Sequence, residues 1–593
     1  MTEATLRLSV LPRKPRLLET IDTGAWLMRG LALMGCLWML VAVVLPLYGL
    51  LSKSMLDSHG QFVGLANFVR YFRTPALAAS LYHSFFVSVL TTVASVTLGT
   101  LYAYALTRTA IPGKSFFRTM AMLPLFAPTL LYGVTLVYLF GKKGLITTGF
   151  LGLGARLFGI PLGVDIGLYG PVGIIISEVL FTFPQTMLIL SVALRMTDAR
   201  LYEAADSLRA SRIRTFFTVT LPGMKYGLLS AVFVSFILSF TDFGAPKVVG
   251  GNYGVLATDI YKQVIGQQNF VMGATVSVVL LIPTMVAFVL DRISQRKQVA
   301  LIAAKSIPLI AKAAPVRDRL FLAFCSLMAL LVAGLFATAV FASLVKVWPY
   351  DLSLNFSHYN FRNVGGGGYA ALFNSLRMSV YSALVGTAAT FIGAYVIEKA
   401  TGMRWMRQGA YFLSTLPLAL PGLVIGLSYI FFFNAPTFPI LGWNIPNPVN
   451  FLYGTMGILV LCNIVHFYTV TFLTATTALK QLDKEFEAVS ESMRVPFYVT
   501  FARVTVPVCL PAVLEIAMYY FVNSMATVSG VIFLYSADLP LASVAVANMD
   551  DAGDVASGAA MSVLIVLINV AARLGYGALT RGLHRRTQAW ITA

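Results

Sequence analysis

Residues 122–133 read MLPLFAPTLLYG and residues 415–426 read TLPLALPGLVIG, so that Pro124 and Pro128 return as Pro417 and Pro421 after 293 positions. Each proline inside an apolar run removes a backbone donor and crowds the preceding turn, so a pair repeated at fixed spacing marks duplication. Other landmarks recur at nearly the same offset: Ala103-Tyr104 as Ala394-Tyr395 after 291 residues, and Leu221-Pro222 as Val506-Pro507 after 285. The chain is therefore two tandem copies of about 290 residues.

The copies are built for lipid. Of 593 residues, 58% are hydrophobic and 11% charged, and the mean hydropathy is +0.80. A helix crossing the hydrocarbon needs about 20 apolar residues. Twelve runs qualify, near 26–51, 81–107, 118–140, 170–194, 226–248, 271–291, 320–347, 375–397, 410–434, 453–479, 508–535 and 556–579. The proline pairs make the third and ninth the least regular. The net charge of +19 is explained by orientation: with both termini cytoplasmic, 31 of the 43 Lys and Arg fall on that side, as the positive-inside rule requires. No nucleic-acid partner is needed to account for them. The expected fold is an all-α membrane protein of two six-helix domains, 1–291 and 320–593, joined by a basic, Ala-rich linker at 292–319. Six is even, so both copies insert alike and are related by an axis along the membrane normal.

Between the fourth and fifth runs of each copy lies a polar insertion, at 195–225 and 480–507. It reads RLYEAADSLRASRIRTFFTVTLPGMKYG over 200–227 and KEFEAVSESMRVPFYVTFARVTVPVCLP over 484–511. Each reads as a short amphipathic helix, a break, and a second short helix ending where the chain re-enters the bilayer. This resembles the EAA loop of the membrane domains of type I, binding-protein-dependent ATP-binding-cassette importers, and the chain resembles two such permease domains fused. The resemblance implies that Glu203, Ala204 and Ala205 match the motif letters, with Leu221 and Pro222 closing the loop, and that Glu487, Ala488 and Pro507 match in the second copy, where Val489 replaces the third letter. Arg209 and Arg494 stand where the family has glycine. A left-handed turn is disfavoured for a residue with a Cβ, so the expectation is a break of another kind, with the two guanidinium groups either meeting carboxylates of a partner or solvated.

Nothing in the chain reads as an enzyme. Gly113-Lys114-Ser115 lacks the first glycine of a phosphate-binding loop, since Arg108 stands there. The histidines His59, His83, His358, His466 and His584 have no metal-ligand spacing, and Cys36, Cys325, Cys462 and Cys509 show no CxxC pattern and read as packing residues. Ionisable and amide groups inside runs are costly in hydrocarbon and face a polar path or a partner. Asp242, Glu178, Asn463, Glu515 and Asn523 are the candidates for a translocation pathway, with Lys247 a possible ion-pair partner for Asp242.

The resemblance implies a transport subunit with no cofactor of its own, held in a bacterial inner membrane. ATP and Mg would be bound by two partner ATPases gripping the loops, and cargo would arrive on a periplasmic binding protein. Fused permeases of this plan resemble those for 2-aminoethylphosphonate and for ferric iron. Segments such as TDFGAPKVVGGNYGVLATDIYKQVIGQQNF (241–270) favour the phosphonate group. The rival class, a twelve-span secondary transporter with parallel repeats, would place its loop signals between the second and third spans.

Overall fold

In the computed structural model, described for 23–150, 163–301, 311, 313–361, 366–399, 404–440, 443–483, 485–493 and 495–587, the chain is almost wholly helical. The first copy comprises α1 (Thr23–Met39) and α2 (Leu45–Ser54), joined by a π turn, then α3 (Ala66–Arg73), α4 (Pro75–Arg108), α5 (Lys114–Met122) and α6 (Thr129–Phe140). It continues with α7 (Pro171–Arg195), the short loop helices α8 (Ala199–Ser207) and α9 (Arg212–Thr215), α10 (Leu221–Thr241), α11 (Gly244–Val249), α12 (Leu256–Tyr261) and α13 (Phe270–Leu301). In the second copy come α14 (Pro315–Leu344), α15 (Gly368–Lys399), α16 (Arg404–Thr415), α17 (Gly422–Phe433) and α18 (Met456–Gln481). The loop helices α19 (Glu485–Ser492) and α20 (Phe497–Thr500) follow, then α21 (Leu510–Ala526), α22 (Ala542–Asp551) and α23 (Val555–Thr587). Two small antiparallel hairpins, Val345–Val347 with Asp351–Leu354 and Thr437–Ile440 with Trp443–Pro446, are peculiar to the second copy among the described residues.

Among the described residues, nine helices are long and apolar enough to cross a membrane, and three bent pairs raise the number to twelve. Two of the pairs are the proline-broken segments. The chain turns by 102° between Lys114–Phe126 and Thr129–Phe140, and by 111° between Arg404–Ala419 and Gly422–Phe433. In each, a short 3-10 turn carries the first proline, Pro124 or Pro417, and the second, Pro128 or Pro421, precedes the next helix. The third bend is asymmetric. Arg212–Thr241 runs into the membrane as one helix, whereas its counterpart turns by 77° between Val508 and Leu510. Pro511 accounts for this: it has no N–H to close on the Pro507 carbonyl four residues back and its ring crowds that carbonyl, and the corresponding residue in the first copy is Tyr226.

Within each copy the fold is the same. α4 packs on α7 and α10, as α15 packs on α18 and α21. The first span of each copy, however, lies largely on the other copy. α1 rests on α15 and α16, α2 on α17, and α14 on α4, α5 and α6. Cys325 of α14 is fully buried in a cluster with Tyr102, Phe117 and Phe183, and the Tyr429 hydroxyl donates to the Ala42 carbonyl at 2.8 Å. Sequence halves and packing units therefore differ by one exchanged span. All four cysteines are free and pack among apolar neighbours, as their spacing suggests.

Close approach of α4 to α7 is set by Gly99, where a Cβ would collide with Thr186 Oγ1. Small residues at such crossings let helices in lipid gain dispersion contacts. Gly99→Val is expected to cost about 1–3 kcal/mol by overpacking, seen as a lower heat-unfolding midpoint in detergent. The same change at Gly35, which has open space around it, leaves the midpoint unchanged.

Candidate functional site

The two insertions form a matched pair on one face of the molecule. In the first, Asp198 caps α8 by accepting from the Arg200 amide at 3.0 Å, and Ser211 caps α9 by accepting from the Arg214 amide. A π turn then leads into the membrane, at Phe216–Thr220 in the first copy and Phe501–Thr505 in the second. Ala205 is buried, whereas Glu203 and Ala204 are exposed. Large apolar residues are presented at corresponding positions: Leu208 is 83% exposed and Met493 70%, Ile213 is 74% exposed and Tyr498 56%. Apolar side chains held out on short capped helices form a surface for a partner's groove.

The break between the loop helices differs from the expectation. Arg209 adopts a left-handed backbone, with φ of 51°. The Ala210 amide donates to Ala205 and the Arg209 amide to Asp206, both at 3.0 Å, the paired closure of a helix that normally ends in glycine. Two satisfied carbonyls outweigh the Cβ strain that argued against this turn. Arg494 lies outside the described residues, but the Val495 amide donates to the Ser490 carbonyl at 2.9 Å across it, the same long closure.

Sequence reasoning missed how the first loop is wired to the spans. Arg108, at the end of α4 and 5% exposed, donates to the Leu194 carbonyl at the end of α7. Its guanidinium lies 4.8 Å from the Tyr202 ring on α8, and the Tyr202 hydroxyl donates to Thr220 Oγ1 at 3.0 Å. The chain thus links two spans, the motif helix and the π turn. Lys399 takes the place of Arg108 in the second copy at the 291-residue offset, and a lysine has no planar guanidinium. An arginine directly after a run's end, with a tyrosine beside the motif, was the available signal.

The pathway candidates fall in four places. Glu178, on α7, is fully buried; Asp242, just after α10, contacts Glu178 and Thr129 and accepts from the Ala245 amide at 2.9 Å, capping α11. Gly244 sits so close to Thr129 that a Cβ would strike its hydroxyl, and Gly422 is likewise pressed against Ser529. The copies thus exchange the small and the polar partner at one contact. Asn463 is fully buried. Asn523 donates within its own helix to the Tyr519 carbonyl at 2.8 Å. Glu515 is separate from these, on α21, where it accepts from Arg573 of α23 at 3.1 Å; in the first copy the matching helices are tied by Ser230 donating to Asp291 at 2.8 Å.

Lys247 does not pair with Asp242. It bridges the copies to Asp551 of α22 and lies 5.4 Å from the Tyr261 ring. This contact is on the face opposite the loops. Beside it, burial pushes the Asp550 carboxyl up to about 6, with Asp551 repelling the charged form and Lys247 favouring it; Tyr169 faces it as well.

A duplicated bundle with paired loops between the fourth and fifth spans defines a two-domain membrane permease. The family of binding-protein-dependent transport system inner membrane components matches residues 95–299 and 389–585, and the chain belongs to it. Among its relatives, a ferric transport system permease of Haemophilus influenzae, FbpB 1, is 27% identical over 77% of this chain and 70% of its own length. The ferric transport system permease FbpB of Actinobacillus pleuropneumoniae is 26% identical over 84% and 69%. A second Haemophilus influenzae protein, the Fe(3+)-transport system permease FbpB 2, is 25% identical over 86% and 91%. These relatives lend the phosphonate reading no support.

Two substitutions test the geometry. Arg209→Gly is expected to stabilise the loop by about 1 kcal/mol, since glycine takes the left-handed conformation without a Cβ penalty, read as slower limited proteolysis at the loop. For Asp550, the folded state holds the proton more tightly than the unfolded chain. Its contribution is therefore full below the ordinary carboxylate range and is lost as pH rises towards about 6. Asp550→Asn should raise the heat-unfolding midpoint at about pH 7 and leave it unaltered at about pH 4.

Proposed function

We propose that this chain is the membrane-spanning permease subunit of an ATP-binding-cassette importer, with the loops inside the cell and the Lys247–Asp551 contact outside. Two ATPase subunits grip the loops and an external binding protein delivers the cargo. The observation that carries this reading is the pair of loops with apolar side chains exposed at matching positions, Leu208 with Met493 and Ile213 with Tyr498. Such surfaces gain free energy when a partner covers them. Nucleotide-driven closure of the partner then shifts the permease between inward-open and outward-open populations, because each state has its own affinity for the closed ATPases and for the loaded binding protein.

The cargo we infer is ferric iron. Support comes from the relatives described as ferric transport permeases, which match across both copies. Asp242, Glu178, Asn463, Glu515 and Asn523 remain the candidates for the polar path. Asp242 and Glu178 sit together where α11 meets α6 and α7, at the end of α10. The chain itself carries cargo and makes no covalent change.

Glu203→Lys combined with Glu487→Lys is expected to reduce ATP-dependent uptake of radioactive ferric iron by at least about tenfold, as reversal of two charges at an interface costs more than 1.4 kcal/mol. Proteoliposomes containing the permease, its ATPase and its binding protein provide the measurement, with 2-aminoethylphosphonate as the competing solute. Unchanged uptake would remove the loops from the mechanism, and competition by the phosphonate would overturn the iron reading.

A further inference from the structure

The proline-broken segments each end on a carbonyl that leaves the helical ladder. Ala127 and Leu420, the residues between the 3-10 turn and the second proline, are extended, with ψ of 145° and 115°. The preceding carbonyls, of Phe126 and Ala419, therefore cannot reach the donor four residues on. At membrane depth such groups need a partner from elsewhere. In both cases that partner comes from the last span of the other copy: Asn569 Nδ2 donates to Phe126 O at 2.9 Å, and Thr284 Oγ1 shares its proton between Leu281 O of its own helix at 2.8 Å and Ala419 O at 3.2 Å. The two contacts are symmetry mates. Phe126 and Ala419 are related by the 293-residue offset of the prolines, and Thr284 and Asn569 by the 285-residue offset of Pro222 and Pro507. Thr284 lies near the middle of the span Phe270–Gln295, and Asn569 near the middle of Val555–Thr580.

We propose that these two hydrogen bonds are the fixed pivots about which the copies rock during transport. The inference rests on the importer reading. Two bodies pinned at two points keep one rotation, about the line through the pins. The pins are exchanged by an axis along the membrane normal, so that line lies in the membrane plane. Because both donors are mid-span, the line runs at mid-depth, and turning about it opens one face while closing the other. Parting either pin would leave a carbonyl released by the proline break unpaired in a low-dielectric interior, so the pins persist through the cycle. The Lys247–Asp551 pair has the opposite character. Asp551 is 46% exposed and the contact lies off the pivot line, so its ends are hydrated as the face opens.

Cysteine pairs separate pivot from gate. In a background with Cys36, Cys325, Cys462 and Cys509 replaced by Ser, three double variants are made: Phe126→Cys with Asn569→Cys, Ala419→Cys with Thr284→Cys, and Lys247→Cys with Asp551→Cys. Each is reconstituted with the ATPase and binding protein, and uptake per ATP hydrolysed is measured before and after oxidation by copper phenanthroline. Reduced pivot pairs lack one pin and should show uptake per ATP lowered about tenfold; oxidation restores the pin and the coupling. The gate pair behaves inversely, active when reduced and arrested when cross-linked. Thr284→Val should lower coupling as the reduced pair does, and Thr284→Ser, which keeps the donor, should not. Arrest of the oxidised pivot pairs, their failure to cross-link, or full coupling in Thr284→Val would each overturn the pivots. No ATP-driven uptake by the unsubstituted protein would instead overturn the importer reading itself.

Discussion

A backbone carbonyl in hydrocarbon has no water to turn to, and the most irregular stretches of this chain lie where water is absent. The proline pairs at 124–128 and 417–421 break two spans at bends of 102° and 111°, and every polar group released there must be bonded by another helix. The architecture follows from this demand. Thr284 and Asn569 supply donors across the copy boundary, the Tyr132 hydroxyl donates back to the Pro124 carbonyl, and the Thr469 hydroxyl donates to the Ser414 carbonyl at 3.0 Å. The Tyr132 bond closes the break within its own span, and the others tie a broken span to one that is not broken. The copies are therefore held together where the backbone is weakest, which makes the irregular segments the joints of the molecule and not its defects.

The two faces follow from what those joints leave free. On one face the capped loops hold apolar groups out on short helices. On the other, the contact between copies is made by an ion pair and by the short helices α11 and α22, which pack on one another. A hydrophobic docking surface and a hydrated, separable contact are what the two ends of a driven machine require. The duplication is imperfect in a telling way. The first loop is tied to α4 and α7 through Arg108 and Tyr202, while the second enters its span through a 77° bend. One loop is stiffly wired and the other articulated, so the same push on each is transmitted differently.

Much of this was legible in the residues, and what was not has identifiable physical causes. The spans, the duplication, the irregular third and ninth runs and the place of the loops are local properties, set by hydropathy, proline and fixed offsets. The left-handed Arg209 was not, because a Cβ penalty argued against it while the compensating carbonyl closures depend on the whole turn. The partner of Lys247 lies 304 residues away, beyond any argument from neighbours. The bend at Cys509 could have been read from Pro507 and Pro511 flanking it. Thr284 and Asn569 were also visible as polar residues at one offset in two apolar runs, but only the structure shows the carbonyls they serve.

The exchanged first spans bear on how the molecule is made. α1 and α2 leave the ribosome before any of the second copy exists, yet their resting places are α15, α16 and α17. During synthesis this helix must wait in the lipid, already inserted but uncommitted, until its true neighbours arrive. α14 meets α4, α5 and α6 as soon as it emerges, and α23 covers its remaining side later. Biogenesis thus includes an early segment docking on a later one, a clasp that shuts only after translation has passed the midpoint of the gene, and severing the copies into separate polypeptides would part each first span from the surface it covers.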